Sequence, residues 1–584
     1  MAETLISPGV LARENDSSFV SRRPVTAGAA IIGPTVKGPV EIPTIVTTFS
    51  EYVNTFGTTF ESGSANALKT YSYFTSIAAY NYFVNGGTSL LVARVVTGSA
   101  TAQPGEFIGA TTTTASVAND AIKDYNNSES FALETLSEGI IMNNSGSQTS
   151  GSLVSGSKDN VRYQIVNSNT SSGTFDLLIR RGDDNALTPT VLETFTMLSL
   201  DPNSSNFISR VIGDQIQNYN GTTIQIDTSG SYANRSNFIR VKNVNVTTLN
   251  YFDNNGVAKN AYTSSIPINK SGSFGGATGT IRGGAKFYND ISNTDTQGLT
   301  GGCYDNMINL LSNTDDFKFN ILLTPGLIDS FPTHVGSISS IITNTQNRGD
   351  NIYVVDPVGY GKVVSEAVAA ASSLNTSYAA MYWPWCQIVD PSTGDLVYVP
   401  ASTVIGGVYA YNDSVAEPWF APAGINRGGL SQVVRVEQKL SAANRDILYN
   451  GKVNPIATFP GTGIVVYGQK TLQTRASALD RVNVRRLLIA LKSYISQVAL
   501  NLVFEQNTIA TRNQFLGQVN PYLTSVQQRQ GLYAFKVIMD ESNNTPDVID
   551  RNELMGKIFV QPTKTAEFIY LDFNITPTGA TFGA

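Results

Sequence analysis

Charge is the scarcest ingredient of this 584-residue chain: Asp, Glu, Lys and Arg together make up 14%, against roughly 25% in an average soluble domain. A surface so poor in charge is built from Ser, Thr, Asn, Gln and Gly, or is hidden in contacts. That points to an assembly component more than to a free-floating enzyme. Cysteine is confined to Cys303 and Cys386, which excludes a disulfide framework and favours two separate thiols. Histidine occurs once, as His334, too few for a His-based zinc centre. A Ser-His-Asp triad would have to use that residue, and no G-x-S-x-G elbow accompanies it. No apolar run approaches the ~20 residues that cross a bilayer, so no membrane insertion is expected. The opening MAETLISPGVLAREND has neither the basic nor the apolar region of a secretory signal. A net charge of −6 with scattered Lys and Arg argues against binding nucleic acid through phosphates. No metal, no cofactor and no catalytic residue is therefore expected.

What is present is apolar mass, 41% hydrophobic and 10% aromatic, enough for several cores and about four domains. Residues 1–20 read as an arm with a Pro-Gly turn signal. Residues 21–97 read as a compact mixed unit: AAIIGPTVKGP and IPTIVTTF as strands, a short helix capped by Ser50 and closed by Gly57, a longer helix around Ala65–Val84, then the strand SLLVARVV. From 98 to 295 the composition shifts to Thr, Ser, Asn and Gly, with alternating strands such as RYQIVNS, TFDLLIRR and NFIRVKNV and a helix near Asn206–Asn218. From 296, strands FKFNILLTPG, NIYVVDPVG and YAAMYWPWCQIV alternate with helices, the pattern of a parallel or mixed α/β sheet. Thr333 is placed to cap one of these helices, with His334 in its first turn.

Such sheets bind ligands at the carboxyl ends of their strands. Gly359-Tyr360-Gly361-Lys362 lacks the rest of a phosphate loop, and Asp350 and Asp356, a carboxylate pair on paper, should lie at opposite ends of a strand. The segment 480–504 reads as the strongest helix, with Val484, Leu487, Leu488, Leu491, Ile495, Val498 and Leu502 on one face. Its cations Arg481, Arg485, Arg486 and Lys492 are candidates for contact with an acidic partner surface, with a plain solvated face as the alternative. AEFIYLDFNIT reads as a long two-sided strand.

In these segments the chain resembles the tail sheath proteins of contractile-tailed bacteriophages and related contractile injection systems. SPGVLARE resembles the family's N-terminal arm, AAIIGPTVKGPVEIPTIVTTFSEYVNTFG and NYFVNGGTSLLVARVV its first core segment, and Leu299-Thr300-Gly301-Gly302 the turn where the core resumes. NPIATFPGTGIVVYGQKTL, LDRVNVRRLLIALK, VFEQNT, DESNNTPDVID and AEFIYLDFNIT resemble its C-terminal signatures in their usual order. The resemblance implies a multidomain mixed α/β protein. Its discontinuous core (21–97 and 296–564) would carry a β-rich outer insert (98–295), an N-terminal arm (1–20) and a C-terminal arm (565–584). It implies a structural subunit in helical rings around a tail tube, with Arg481, Arg485, Arg486 and Lys492 as possible tube-facing groups, in contact with baseplate and tail terminator proteins, assembled in the host cytoplasm and resident in the virion. Contraction would drive the tube through the bacterial envelope without ATP. Another virion shell or a surface lattice is the alternative. Inter-subunit strands are expected at Ser7, Pro8, Gly9, Val10, Leu11, Ala12 and Arg13, and at Phe568, Ile569, Tyr570, Leu571, Asp572, Phe573, Asn574 and Ile575, where free backbone groups suit addition to another chain's sheet.

Overall fold

In the computed structural model the described residues are 25–62, 69–96, 122–123, 129–138, 148–149, 152–153, 158–184, 187–274, 291–294 and 296–568. The arm residues Ser7–Arg13 and Ile569–Ile575 lie outside them.

Uninterrupted apolar strands build the centre. Leu90–Arg94, Ile352–Asp356 and Ala379–Trp383 are buried at every position, as strands covered on both faces must be. They belong to an eight-stranded sheet ordered Thr44–Val46, Leu90–Arg94, Val25–Gly33, Phe317–Ile328, Ile352–Asp356, Ala379–Trp383, Val453–Phe459, Gly463–Val466. The six inner strands run parallel, and an antiparallel strand closes each edge. Helices Phe74–Val84 and Ser402–Val415 pack on each other and on the Phe317–Ile328 strand. Gly407 permits that approach, because a Cβ there would lie 2.7 Å from the Asn81 carbonyl oxygen. One hydrophobic core draws on residues 27–95 and 291–489 together, so the α/β core is discontinuous, as expected.

The intervening residues form a β-rich unit with its own core. A four-stranded antiparallel sheet (Val191–Ser199, Thr174–Arg181, Val161–Asn169, Lys270–Ser273) accompanies a three-stranded one (Ile239–Val244, Glu129–Thr135, Ile122–Lys123). Phe131 and Phe175 stack between them with centroids 5.5 Å apart. Deep in this unit Asp184 accepts hydrogen bonds from Arg162, from Arg180 (2.7 Å) and from the Thr190 N–H (2.8 Å), all three charged side chains being at most 4% exposed. The unit joins the core through buried Arg94, whose Nη1 donates to the carbonyls of Gly38 (2.6 Å) and Glu138 (2.8 Å), and through Lys37 paired with Asp159 at 3.4 Å. A third core, centred on Trp419, Leu487, Leu491, Phe515, Val519 and Leu523, joins helices Val482–Leu500 and Ile509–Gln528 to a two-stranded sheet, Leu532–Ile538 with Lys557–Pro562.

Several local expectations change. The helix expected from Ala65 begins only at Phe74, because Lys69–Ser72 pairs with Thr59–Ser62 as a hairpin. The aromatic spacing spanned two elements. The helix expected over Asn206–Asn218 is reduced to Ile208–Ile212. Gly213, at φ 108, ends it against Asn234, and Ile216–Asn220 becomes a strand. Thr48, not Ser50, caps the Phe49–Phe56 helix by accepting the Glu51 N–H at 3.1 Å. Thr333 caps nothing, since its helix already starts at Pro332 and its hydroxyl bonds Asn293.

Candidate assembly site

The crevice between the Val25–Gly33 and Phe317–Ile328 strands is where a doubly wound sheet holds a ligand. Here the chain itself fills it. Gln297, 2% exposed, accepts the Phe74 N–H at 2.9 Å and donates to the Pro325 carbonyl at 3.2 Å, while the Thr296 hydroxyl donates to the Gly326 carbonyl at 2.6 Å. The Gly359–Lys362 loop is likewise committed: the Gly361 N–H donates to Glu437, and Lys362 pairs with Glu366 at 2.9 Å. Asp350 pairs with Arg348 at 2.7 Å ahead of the Ile352–Asp356 strand, whereas Asp356 ends that strand, so the two share no groove. Among the described residues no cluster of three or more His, Cys, Asp or Glu could hold a metal, and no helix is long and apolar enough to cross a membrane.

Three buried titratable groups lie at or just beyond the strand ends. Burial holds His334 down at about 4, with its Nδ1 accepting the Ile328 N–H at 3.1 Å. Burial raises Asp329 to about 6. It also raises Asp356 to about 7, against the pull of the Ser402 N–H and hydroxyl that bond it at 2.9 and 2.5 Å. A depressed imidazole binds fewer protons folded than unfolded, so its contribution grows as pH rises toward 6.5. A raised carboxyl does the reverse: its contribution is complete below the unfolded value near 3.9 and is lost as pH climbs through about 7. The two trends oppose each other between pH 4 and 6.5. Comparing Asp356→Asn with the native chain at each pH cancels the His334 and Asp329 contributions. Urea denaturation should then show the substitution costing more at pH 5 than at pH 8; equal costs would contradict the assignment.

The outward-facing features lie on the C-terminal unit. Its two-stranded sheet leaves each strand with one outer edge lacking a ladder partner among the described residues, with Tyr533 and Phe559 exposed. Arg485 and Arg486, expected at the surface, turn inward and are 4% exposed. This is a correction to the tube-facing set. The Arg485 guanidinium lies 3.9 Å from the Tyr378 ring centroid and bonds Ser377. Burial pulls the Arg485 pKa below its usual range. Arg486 pairs with Asp413 at 2.5 Å and sits 4.8 Å from the Tyr409 centroid, so burial, which would lower its pKa, is outweighed by Asp413. Lys492 is exposed, its amine 3.4 Å from the Tyr378 hydroxyl. Arg481 is held by Glu567 at 2.7 Å and Asp480 at 3.0 Å. Phe568, the single expected strand residue of the C-terminal arm among those described, is exposed. The Glu567 contact was missed from sequence; the sole hint was an acid within the AEFIYLDFNIT segment expected to form a strand.

Known proteins share this architecture. Residues 302–472 match the model of the phage tail sheath protein central domain, and residues 474–576 that of the phage tail sheath C-terminal domain. A stretch of 217 residues is 42% identical to the tail sheath protein of Vibrio phage KVP40, covering 37% of this chain and 32% of that one. A stretch of 185 residues is 39% identical to the tail sheath protein of Enterobacteria phage T4, covering 32% and 28%. The chain thus spans about a third or less of the length of these curated relatives. The crystal structure of a sheath tail protein from Listeria innocua shares the fold at a TM-score of 0.51 over 92% of this chain and 95% of that one, with 9% identity. Over residues 302–576 the chain thus carries two adjoining matches to phage tail sheath domains, in order.

Proposed function

We propose that this protein is the structural, non-enzymatic subunit of a contractile phage tail sheath. It polymerises as helical rings around a tail tube, resides in the virion and contracts to drive the tube through the bacterial envelope. The observation that carries the reading is the ordered pair of sheath-domain matches over 302–576, on a unit whose two-stranded sheet has no ladder partner on either outer edge among the described residues. An open edge with exposed Tyr533 and Phe559 suits addition of an extended strand from another copy. Residues 7–13 and 568–575 are the strands we assign to that role. Exchange of arms is a heterologous contact and builds an open helix instead of a closed pair.

The discontinuous core, 21–97 with 296–564, faces the tube in this reading, and 98–295 faces outward. Of the four cations, Lys492 is the one we retain as a tube contact. Tube, baseplate and terminator proteins are the partners proposed, with assembly in the host cytoplasm. A small free-energy difference per subunit between two packings, summed along the sheath, suffices to drive the change. Negative-stain microscopy of the concentrated protein should reveal tubes or stacked rings. Closed shells or flat lattices would favour another virion shell or a surface-layer protein, and compact monomers alone would sink the sheath reading.

A further inference from the structure

The chain beyond the Lys557–Pro562 strand is held again at Glu567. The main chain at Glu567 is exposed, yet its carboxylate is only 19% exposed, because it enters a socket built from three separated stretches. Arg481, at the start of the Val482–Leu500 helix, donates from Nε to one carboxylate oxygen at 2.7 Å and from Nη2 to the other at 3.0 Å. The Tyr449 hydroxyl donates to the same carboxylate. Gln469, 3% exposed, donates from Nε2 to Glu567 at 3.1 Å and to the Thr565 hydroxyl at 2.6 Å. Lys470 stands over the Tyr449 ring at 4.2 Å, and Asp480 orients Arg481 at 3.0 Å. Burial alone would raise the Glu567 carboxyl, but the bonds from Arg481, Tyr449 and Gln469 outweigh it and hold the group below its usual range. A bidentate guanidinium–carboxylate pair fixes direction as well as position.

We infer that this socket is the root of the C-terminal arm: it fixes where residues from 568 onward leave the subunit and in which direction. The inference rests on the strand-exchange reading above. Without the socket the free tether would begin after Thr563, whose hydroxyl donates to the Gln530 carbonyl at 2.7 Å, four residues earlier, adding about 14 Å of reach. Cutting that slack raises the effective concentration of the arm strand at a neighbour's sheet edge and keeps it from straying to the wrong copy. Arg481 is then a positioning residue of the arm, not a group that grips the tube.

The test uses the full-length chain as Glu567→Gln, Arg481→Met and the charge exchange Arg481→Glu with Glu567→Arg, each checked for native thermal unfolding. Endoproteinase Lys-C releases the 565–584 peptide by cutting after exposed Lys564, so its rate reports opening of the socket. Both single variants should release the peptide about tenfold faster, the scale of a lost charge-assisted contact, and form fewer, shorter tubes. The charge exchange should restore both. Unchanged release would overturn the socket. Faster release with normal tubes would overturn its role as the root of the arm. A wild-type chain that itself never polymerises would instead count against the strand-exchange reading, whatever the release rates of the variants.

Discussion

Asp184→Ala should unfold the β-rich insert while the eight-stranded core stays native. The carboxylate is wholly buried and is shared by Arg162 and Arg180, themselves at most 4% exposed, and it also accepts the Thr190 N–H. Removing it strips the common counter-charge from two guanidinium groups that cannot reach water. Breaking a buried ion pair from one side costs about 3–5 kcal/mol, a large fraction of the ~5–15 kcal/mol that stabilises an ordinary domain. Because the insert has a core of its own, the loss stays local. Calorimetry should show one transition displaced downward by about 10 °C or more, at ~2–4 °C per kcal/mol for a unit of this size, and a second unmoved. A single transition at the native temperature would refute the idea that these charges hold the insert.

Truncation at residue 564 should have the opposite signature, with assembly lost and folding kept. The deletion removes Glu567, but Arg481 is 24% exposed and retains Asp480, so an uncompensated buried charge is not created and the cost is about 1 kcal/mol or less. Thermal unfolding should therefore move by no more than a few degrees. Polymerisation should vanish, since every subunit loses the strand assigned to its neighbour's sheet edge. Deleting residues 1–20 should do the same from the other end. Tubes of normal length from either truncated chain would show that the arms are not the connectors.

The central fold was readable because two-sided strands leave an unmistakable mark: IYVV and AAMYW carry no charged residue, and helical stretches separate them. Charge was read less well. Arg485 and Arg486 of Val482–Leu500 read as surface cations, whereas the partners that draw both inward lie far off in the chain. Asp413 is 73 positions from Arg486, and Ser377 is 108 from Arg485. Periodicity reports which face of a helix is apolar; it says nothing about a Tyr378 or Tyr409 ring that lets a guanidinium stem and head enter that face. The same distance hid Glu567, 86 residues from Arg481. At Lys69–Ser72 the error had a different origin. Aromatic residues at helical spacing ran across the boundary between a hairpin and a helix, and the pairing of Tyr71 with Phe60 outweighed the apparent stripe.

The interleaved order of the central sheet also sets a timetable for synthesis. Val25–Gly33 lies between Leu90–Arg94 and Phe317–Ile328, so one flank of that strand lacks its described partner until 223 further residues (317 minus 94) have been made. At the ~5–20 residues per second of a ribosome this is a wait of about 10–45 s. The insert, with its own apolar centre and nearby strand partners, has time to fold first. The nascent subunit therefore carries a finished domain beside an apolar strand with an open flank, and in a crowded ribosome queue that flank is the part most in need of a chaperone.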